Sequence, residues 1–465
     1  MNSEGGEQLE TEFFDRIRAC DVGDPFAAAD RNRGDALLSV IAGERASQGP
    51  GNKIVACRGR THIAWQDSYN QRYFARVRTL DHETGRWTAG PILAEGVDEH
   101  SRPTLAVDSQ GYLHMVMGGH NSPLQYQRSL RPHDASAWTS VEAFGRNTYP
   151  VLLCGPDDTL YLAARDGGHD GMELWEKPSA GPWQSRGLIV TRQRRFTGYT
   201  GMNNDVAWGP VRKTMHMSMA FFLSRKANAG EHPRDVAGLY QAVGYMRSFD
   251  FGRTWQKADG TPAPLPATSD TLDLLEEGES NNPKPGIEHC GMAVDSKDRP
   301  YVGYVRHTPT PCRAFLKTFD AGSWRELRLG EAVASHWPGW GIIGFKPVMT
   351  SDDVLCVLAQ LVALGHPDEN WAPGVYGLPA FWLREHPELS RVVWLESSDY
   401  GETFMPREVL AFDPEQGQLM SSLERPNGAN PIPPGARPSF IYTLGDSRYT
   451  VEGETIDNDL YWVRV

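Results

Sequence analysis

One short unit recurs along this chain: a tight turn followed by a strand of apolar or alternating residues. Arg58-Gly-Arg60 leads into Thr61-His-Ile-Ala-Trp65, Ser109-Gln-Gly111 into Tyr112-Leu-His-Met-Val116, and Pro156-Asp-Asp158 into Thr159-Leu-Tyr-Leu-Ala163. The series continues with Thr214-Met-His-Met-Ser218 after Pro210-Val-Arg-Lys213, Pro300-Tyr-Val-Gly-Tyr304 after Ser296-Lys-Asp298, and Val354-Leu-Cys-Val-Leu358 after Ser351-Asp-Asp353. The steps are about 50 residues, longer where loops intervene, and strand-and-turn units of that size mark a β-propeller. Pro438-Ser-Phe-Ile-Tyr-Thr443 and Asp459-Leu-Tyr-Trp-Val-Arg-Val465 would supply a seventh unit. The expected fold is therefore all-β, a seven-bladed propeller. Its last strand should complete a blade shared with the N-terminal part, which closes the ring and removes free edges.

Composition agrees: 47 Gly, 33 Pro and 14 Trp in 465 residues suit many short strands and turns. The expected organisation is a lead-in over residues 1–50, with a short helix at Glu12–Cys20, and one catalytic propeller domain over 51–465. No apolar run approaches a membrane span. The first residues are acidic and polar, without the basic start and apolar centre of a secretory signal. Either the protein is cytoplasmic or a leader has been removed. The six cysteines are far apart with no CxxC spacing, so free buried thiols are expected and a zinc site built on cysteine is not. A net charge of −13 argues against nucleic acid as partner. Any site for an anion must concentrate its cations locally.

The second unit carries chemistry. Asp98-Glu-His-Ser-Arg102 runs into Leu105-Ala-Val-Asp108, turns at Ser109-Gln-Gly111, and returns through Tyr112–Met117 to Gly118-Gly-His120. In an antiparallel hairpin centred on Gln110, His100 and His120 are cross-strand neighbours at the open end, about 5.5 Å apart. Arg102 lies beside them as a substrate-binding candidate. In the third unit, Tyr149 and Arg165 stand sixteen residues apart around the Asp157-Asp158 turn and meet in the same way. A buried arginine at a strand end is costly unless it meets an anion. A phenol and an imidazole beside a guanidinium make an acid–base set suited to a carboxylated substrate.

The fifth unit echoes the second, because His307 follows Asp295 by the same twelve residues that separate His120 from Asp108. His289 and His307 are read as an equivalent pair that binds substrate or a metal, or as residual repeat similarity. Arg195, in the basic run Arg192-Gln-Arg-Arg195, could meet acidic groups of a substrate. Trp340 could stack on a sugar or pack between blades, and His169 is a further candidate. Two segments, Ser248-Phe-Asp-Phe-Gly-Arg-Thr-Trp255 and Ser397-Ser-Asp-Tyr-Gly-Glu-Thr-Phe404, resemble the Asp-box hairpin of sialidase-type propellers. There the Asp accepts backbone hydrogen bonds, the Gly takes positive φ and the aromatic packs between blades.

The run from His100-Ser-Arg-Pro103 through Gly118-Gly-His120-Asn-Ser-Pro123 to Thr148-Tyr-Pro150 and Leu160–Arg165 resembles polysaccharide lyases with neuraminidase-type repeats. These include ulvan lyases and rhamnosyl-glucuronate lyases of arabinogalactan. The resemblance is good over residues 50–260 and weak beyond. It implies a seven-bladed propeller that cleaves a glycosidic bond to a uronic acid by β-elimination. It makes His100 and Tyr149 acid/base candidates, Arg165 the neutraliser of the uronate carboxylate, His120 its support and Tyr199 a further tyrosine. The implied partner is an anionic oligosaccharide or polysaccharide, with no nucleic acid and no membrane; oligomeric state is left open. No cofactor is required. A structural cation such as calcium is consistent with the resemblance, but no spacing identifies one. Two other readings stand beside it: a sialidase-like hydrolase, which wants an arginine triad, a Tyr–Glu pair and an Asp acid and for which neither an early Arg-Ile-Pro strand nor that distribution of arginines is found, and a non-catalytic carbohydrate-binding propeller.

Overall fold

A computed structural model describes residues 35–43, 51–69, 72–168, 171–191, 202–223, 239–278, 287–306, 313–364, 387–445 and 458–465. Seven antiparallel sheets follow one another around a ring. Blade 1 opens with Ile54–Cys57 and Arg60–Tyr69, blade 2 with Thr104–Val107 and Leu113–Met117, and blade 3 with Asn147–Cys154 and Leu160–Asp166. Blades 4, 5 and 6 open with Met202–Trp208, Ile287–Val294 and Trp340–Met349. In blades 1 to 6 the strand expected after each recurring turn is the second of its sheet. Blade 7 joins Gln418–Leu423, Phe440–Gly445 and Asn458–Val463 to Asp35–Ser39, so the outermost strand comes from the expected lead-in. Asp35 pairs with Val463 and Leu37 with Tyr461, which seals the ring.

The recurring turn has a physical cause. Asp108 Oδ1 accepts the amides of Gln110 (3.0 Å) and Tyr112 (2.8 Å), and Asp295 Oδ1 accepts those of Lys297 and Arg299 (both 2.9 Å). The serine after each aspartate reaches the next blade: Ser109 bonds Asp158 through its amide (2.8 Å) and hydroxyl (2.6 Å), and Ser296 bonds Asp353 at the same distances. Turns thus lock neighbouring blades together on one face, and the opposite strand ends are free to carry a site.

Both Asp-box segments form the expected hairpin. Ser248 Oγ accepts Gly252 N at 2.8 Å and Asp250 Oδ1 accepts Thr254 N at 2.8 Å; Ser397 and Asp399 repeat this with Gly401 (2.7 Å) and Thr403 (3.0 Å). Gly252 and Gly401 take φ of 83° and 89°. Trp255 packs in the layer between blades 3 and 4, and Phe404 against that between blades 5 and 6. Each junction around the ring holds such an apolar layer, including blade 7 against blade 1, where Leu38, Ile441 and Trp462 meet Ile63 and Trp65. One eight-residue helix, Leu329–His336, links blades 5 and 6 and was not expected. The helix expected at Glu12–Cys20 lies outside the described residues. Among the described residues no helix is long and apolar enough to cross a membrane.

Candidate active site

Blade 2 builds the site from a pinned turn. Asp98 to Ser101 closes through Ser101 N to Asp98 O (3.0 Å), Ser101 Oγ accepts Val97 N (3.0 Å), and Gln66 Nε2 donates to Ser101 O (2.9 Å). Thr104 pairs with Val116 across the hairpin, so continuing the register places His100 opposite His120. Their ring centroids are 3.7 Å apart. Gly119 is required here because a Cβ would lie 2.3 Å from Ser101 Oγ and 2.7 Å from its amide nitrogen.

Asp98 orients both rings. Its Oδ1 accepts His100 N at 2.9 Å and lies 3.5 Å from His100 Nδ1, and its Oδ2 is hydrogen-bonded to His120 Nδ1. Glu99 Oε1 stands 3.0 Å from His100 Nδ1. The carboxylate hydrogen-bonded to His120 Nδ1 favours the proton there and leaves its Nε2 for other work. Burial pushes the Asp98 carboxyl up, but hydrogen bonds and charge from His100 and His120 outweigh it and hold it well below the usual carboxylate range.

Blade 3 supplies the phenol. The pairing with the second strand shifts between Thr148 and Val151, and Tyr149 sits in this bulge at φ 60°. The Arg165 guanidinium lies over the Tyr149 ring at 4.8 Å and that of Arg102 at 5.0 Å, with the His100 ring at 5.7 Å. Arg165 is 4 % and Arg102 7 % exposed. The loop after His120 is tied to blade 3 by Asn121 N to Thr148 Oγ1 (3.0 Å), which fixes imidazoles and phenol relative to one another. Lys53 is fully buried and donates to Pro103 O at 3.0 Å. Burial first, then the nearby Arg102 and Lys346 charges, pushes its ammonium well below the ordinary lysine value. Arg102 and Arg165 concentrate positive charge beside Tyr149 in an otherwise acidic protein, as binding an anion requires.

His100, His120, Tyr149, Arg165 and Arg102 are thus brought together. His289 is not paired as expected. It opposes Tyr304, with a register shift before Gly291, and stands six residues before Asp295 as Arg102 stands before Asp108. It therefore occupies the position of Arg102 rather than that of His100. Its Nε2 meets Ser218 Oγ at 2.8 Å, and it lines an axial cavity with Asn204, Asp205, Lys346 and Arg425. Burial pushes its imidazole down to about 4 against the pull of Asp205. Trp340 is likewise not brought to the cluster: Arg391 lies 5.4 Å from its ring and Phe412 packs edge-on at 5.9 Å. Tyr199, Arg195, His307 and His169 lie outside the described residues.

Sequence reasoning passed over Asp98 and Glu99, whose signal was a carboxylate one and two positions before a strand-end histidine. It also passed over Lys53, Asp205 and Arg425 on the axis. Two donor sets have the spacing of a metal site among the described residues: Asp98, His100 and His120, and on the other face Cys57, His62 and His133. In the first set both Nδ1 atoms already face carboxylates.

The model of the BNR repeat-containing family matches residues 60–332. An ulvan lyase of Pseudoalteromonas sp. (strain PLSV) is 24 % identical over 247 residues, 46 % of this chain and 49 % of that protein. An ulvan lyase of Alteromonas sp. (strain LOR) is 23 % identical over 247 residues, 46 % of this chain and 50 % of that one. The chain spans about half the length of these curated relatives. Among solved structures, a PL25 ulvan lyase bound to -[GlcA(1-4)Rha3S]- superposes with a TM-score of 0.65 at 14 % identity, covering 90 % of this chain and 94 % of that one. The polysaccharide lyase Uly1 gives 0.56 at 11 % identity, covering 95 % and 94 %. The structural likeness concerns the propeller, and the family match covers more than half of the sequence: the chain belongs to the BNR repeat-containing family.

Proposed function

We propose that the protein is a polysaccharide lyase that cleaves the bond to a uronic acid by β-elimination. The observation that carries this reading is one phenol, Tyr149, with two buried guanidinium groups at 4.8 and 5.0 Å and an imidazole beside it. The proton α to a carboxylate is weakly acidic until the carboxylate charge is neutralised. In this reading Arg165, aided by Arg102, does so and stabilises the dianion that develops. Tyr149 takes the C5 proton, the electron pair forms the C4=C5 bond, and the C4–O bond breaks. The leaving oxygen receives a proton from Tyr149 if both groups lie on one face of the sugar, or from His100 otherwise. His120, held by Asp98, supports the carboxylate. The step needs no oxidant, and the residues named supply its acid, base and countercharge.

The proposed substrate is ulvan, which the names of the curated relatives support, at a glucuronate–rhamnose linkage of the kind bound in the solved PL25 ulvan lyase. Arabinogalactan side chains present the same pair of sugars and are the second substrate to try. The test is incubation with ulvan, arabinogalactan fragments and a uronate-free glycan while following ultraviolet absorbance of the conjugated uronate. Absorbance should rise with ulvan and stay flat with the uronate-free control. No rise with any uronate glycan would overturn the proposal.

A further inference from the structure

On the turn face of the ring, away from the Tyr149 cluster, three side chains from two blades converge. Cys57 ends the first strand of blade 1, His62 lies on the second, and His133 sits in the turn between the outer strands of blade 2. One ligand atom from each lies within 4.8 Å of the other two. Cys57 Sγ and His133 Nδ1 are 3.4 Å apart. A tetrahedral ion with bonds of about 2.3 Å to sulfur and about 2.05 Å to nitrogen sets those atoms roughly 3.5 Å apart.

His62 carries the second, independent observation. It is fully buried, its Nδ1 is engaged by Thr79 Oγ1 at 2.8 Å, and its Nε2 is buried with no hydrogen-bond partner. A metal-bound histidine usually has its second ring nitrogen fixed by a hydrogen-bond acceptor, and here Thr79 Oγ1 takes that place while the other nitrogen is left open. Thr79 Oγ1 is itself fixed by the Ala135 amide of blade 2 at 3.0 Å. His133 is anchored through its own amide to Gly111 O at 2.7 Å, so its ring is positioned by backbone rather than by chance.

We propose that Cys57, His62 and His133 form a metal site for a thiophilic transition ion, zinc(II) foremost, that clamps blade 1 to blade 2. One thiolate and two imidazoles suit zinc better than calcium or magnesium, which take oxygen ligands. Arg58 and Arg60 are nearby charges; Arg60 is drawn off by Asp81 at 3.1 Å, and a thiolate offsets part of the ion's charge. Water completes four-coordination on the half-exposed Cys57 side. The sequence concealed this site because its ligands come from different blades, with no short spacing between them.

The test uses the full chain, stripped with chelator and titrated with cobalt(II), then with zinc(II). Wild type should show thiolate-to-cobalt charge-transfer absorption saturating at one equivalent, displaced by zinc, and zinc should raise the thermal midpoint. Cys57→Ser should lose the absorption and the thermal shift while keeping its fold, and His133→Ala should bind at least about tenfold more weakly. His120→Ala should leave both signals intact, which separates this site from the Asp98 set. No charge-transfer absorption in wild type, or absorption that survives Cys57→Ser, would overturn the proposal.

Discussion

Tyr149 adopts φ 60° in a strand bulge, a conformation that a bulky residue holds only when its surroundings demand it. That local cost presents the phenol between Arg102 and Arg165. Tyr149→Phe keeps ring and backbone and should abolish turnover while substrate still binds, as glycan titration of the variant would show. Arg165→Ala removes one countercharge in a buried setting and should cost roughly 3–4 kcal/mol in kcat/KM, with Arg165→Lys recovering only part. Asp98→Asn leaves both imidazoles in place but removes the carboxylate of His120 and one of the two near His100, and should lower kcat about a hundredfold or more. His289 provides a separate check on stability. Its folded pKa, about 4, lies below the ordinary imidazole value of about 6.5, so between them the unfolded chain binds more protons. Its contribution is full above about pH 6.5 and is lost as pH falls toward 4, by roughly 3 kcal/mol. His289→Gln should flatten the fall of thermal midpoint over that window. The meeting of His100 with His120 was legible because a hairpin turn fixes which residues face each other; Arg165 reaches the Tyr149 ring as expected, but its cross-strand partner is Thr148, because the bulge shifts the register by one. The roles of Asp98 and Glu99 were not, since a loop carboxylate looks the same whether it solvates or orients. His289 was misread because counting from Asp295 places His307, but not His289, in step with the second blade.

At the scale of elements, turns decide what strands can present. The Asp-boxes were readable because each role belongs to a named side chain, and the recurring turns because each precedes an apolar strand. The strand bulges at Tyr149 and near His289 were not, since a one-residue register shift leaves no compositional mark. The turn that carries the histidines depends on Gly119. Gly119→Ala would drive a methyl into Ser101, so the Asp98–Ser101 turn must shift. The expected outcome is a loss of about 1–3 kcal/mol in stability and a larger proportional loss of activity, read by thermal melts and initial rates.

At the scale of the molecule, a ring of sheets is stable only when closed, because an open ring exposes strand edges and one apolar layer. Six units could be inferred from the recurring turn and the seventh from the two tail strands, but the outer strand Asp35–Ser39 could not be picked out within the lead-in. Deleting residues 1–39 should expose Trp462 and Leu460 and produce aggregation or a markedly lower thermal midpoint, measurable by light scattering and calorimetry. Packing of blade 2 beside blade 3 brings His100, His120, Arg102, Tyr149 and Arg165 into one cluster, and the chemistry proposed there is elimination at a uronate. Product analysis after digestion of ulvan in heavy-oxygen water tests it most directly. Elimination predicts a fragment with an unsaturated uronate at its new non-reducing end and no oxygen taken from solvent, formed by wild type and not by Tyr149→Phe. A saturated uronate product carrying solvent oxygen would contradict it.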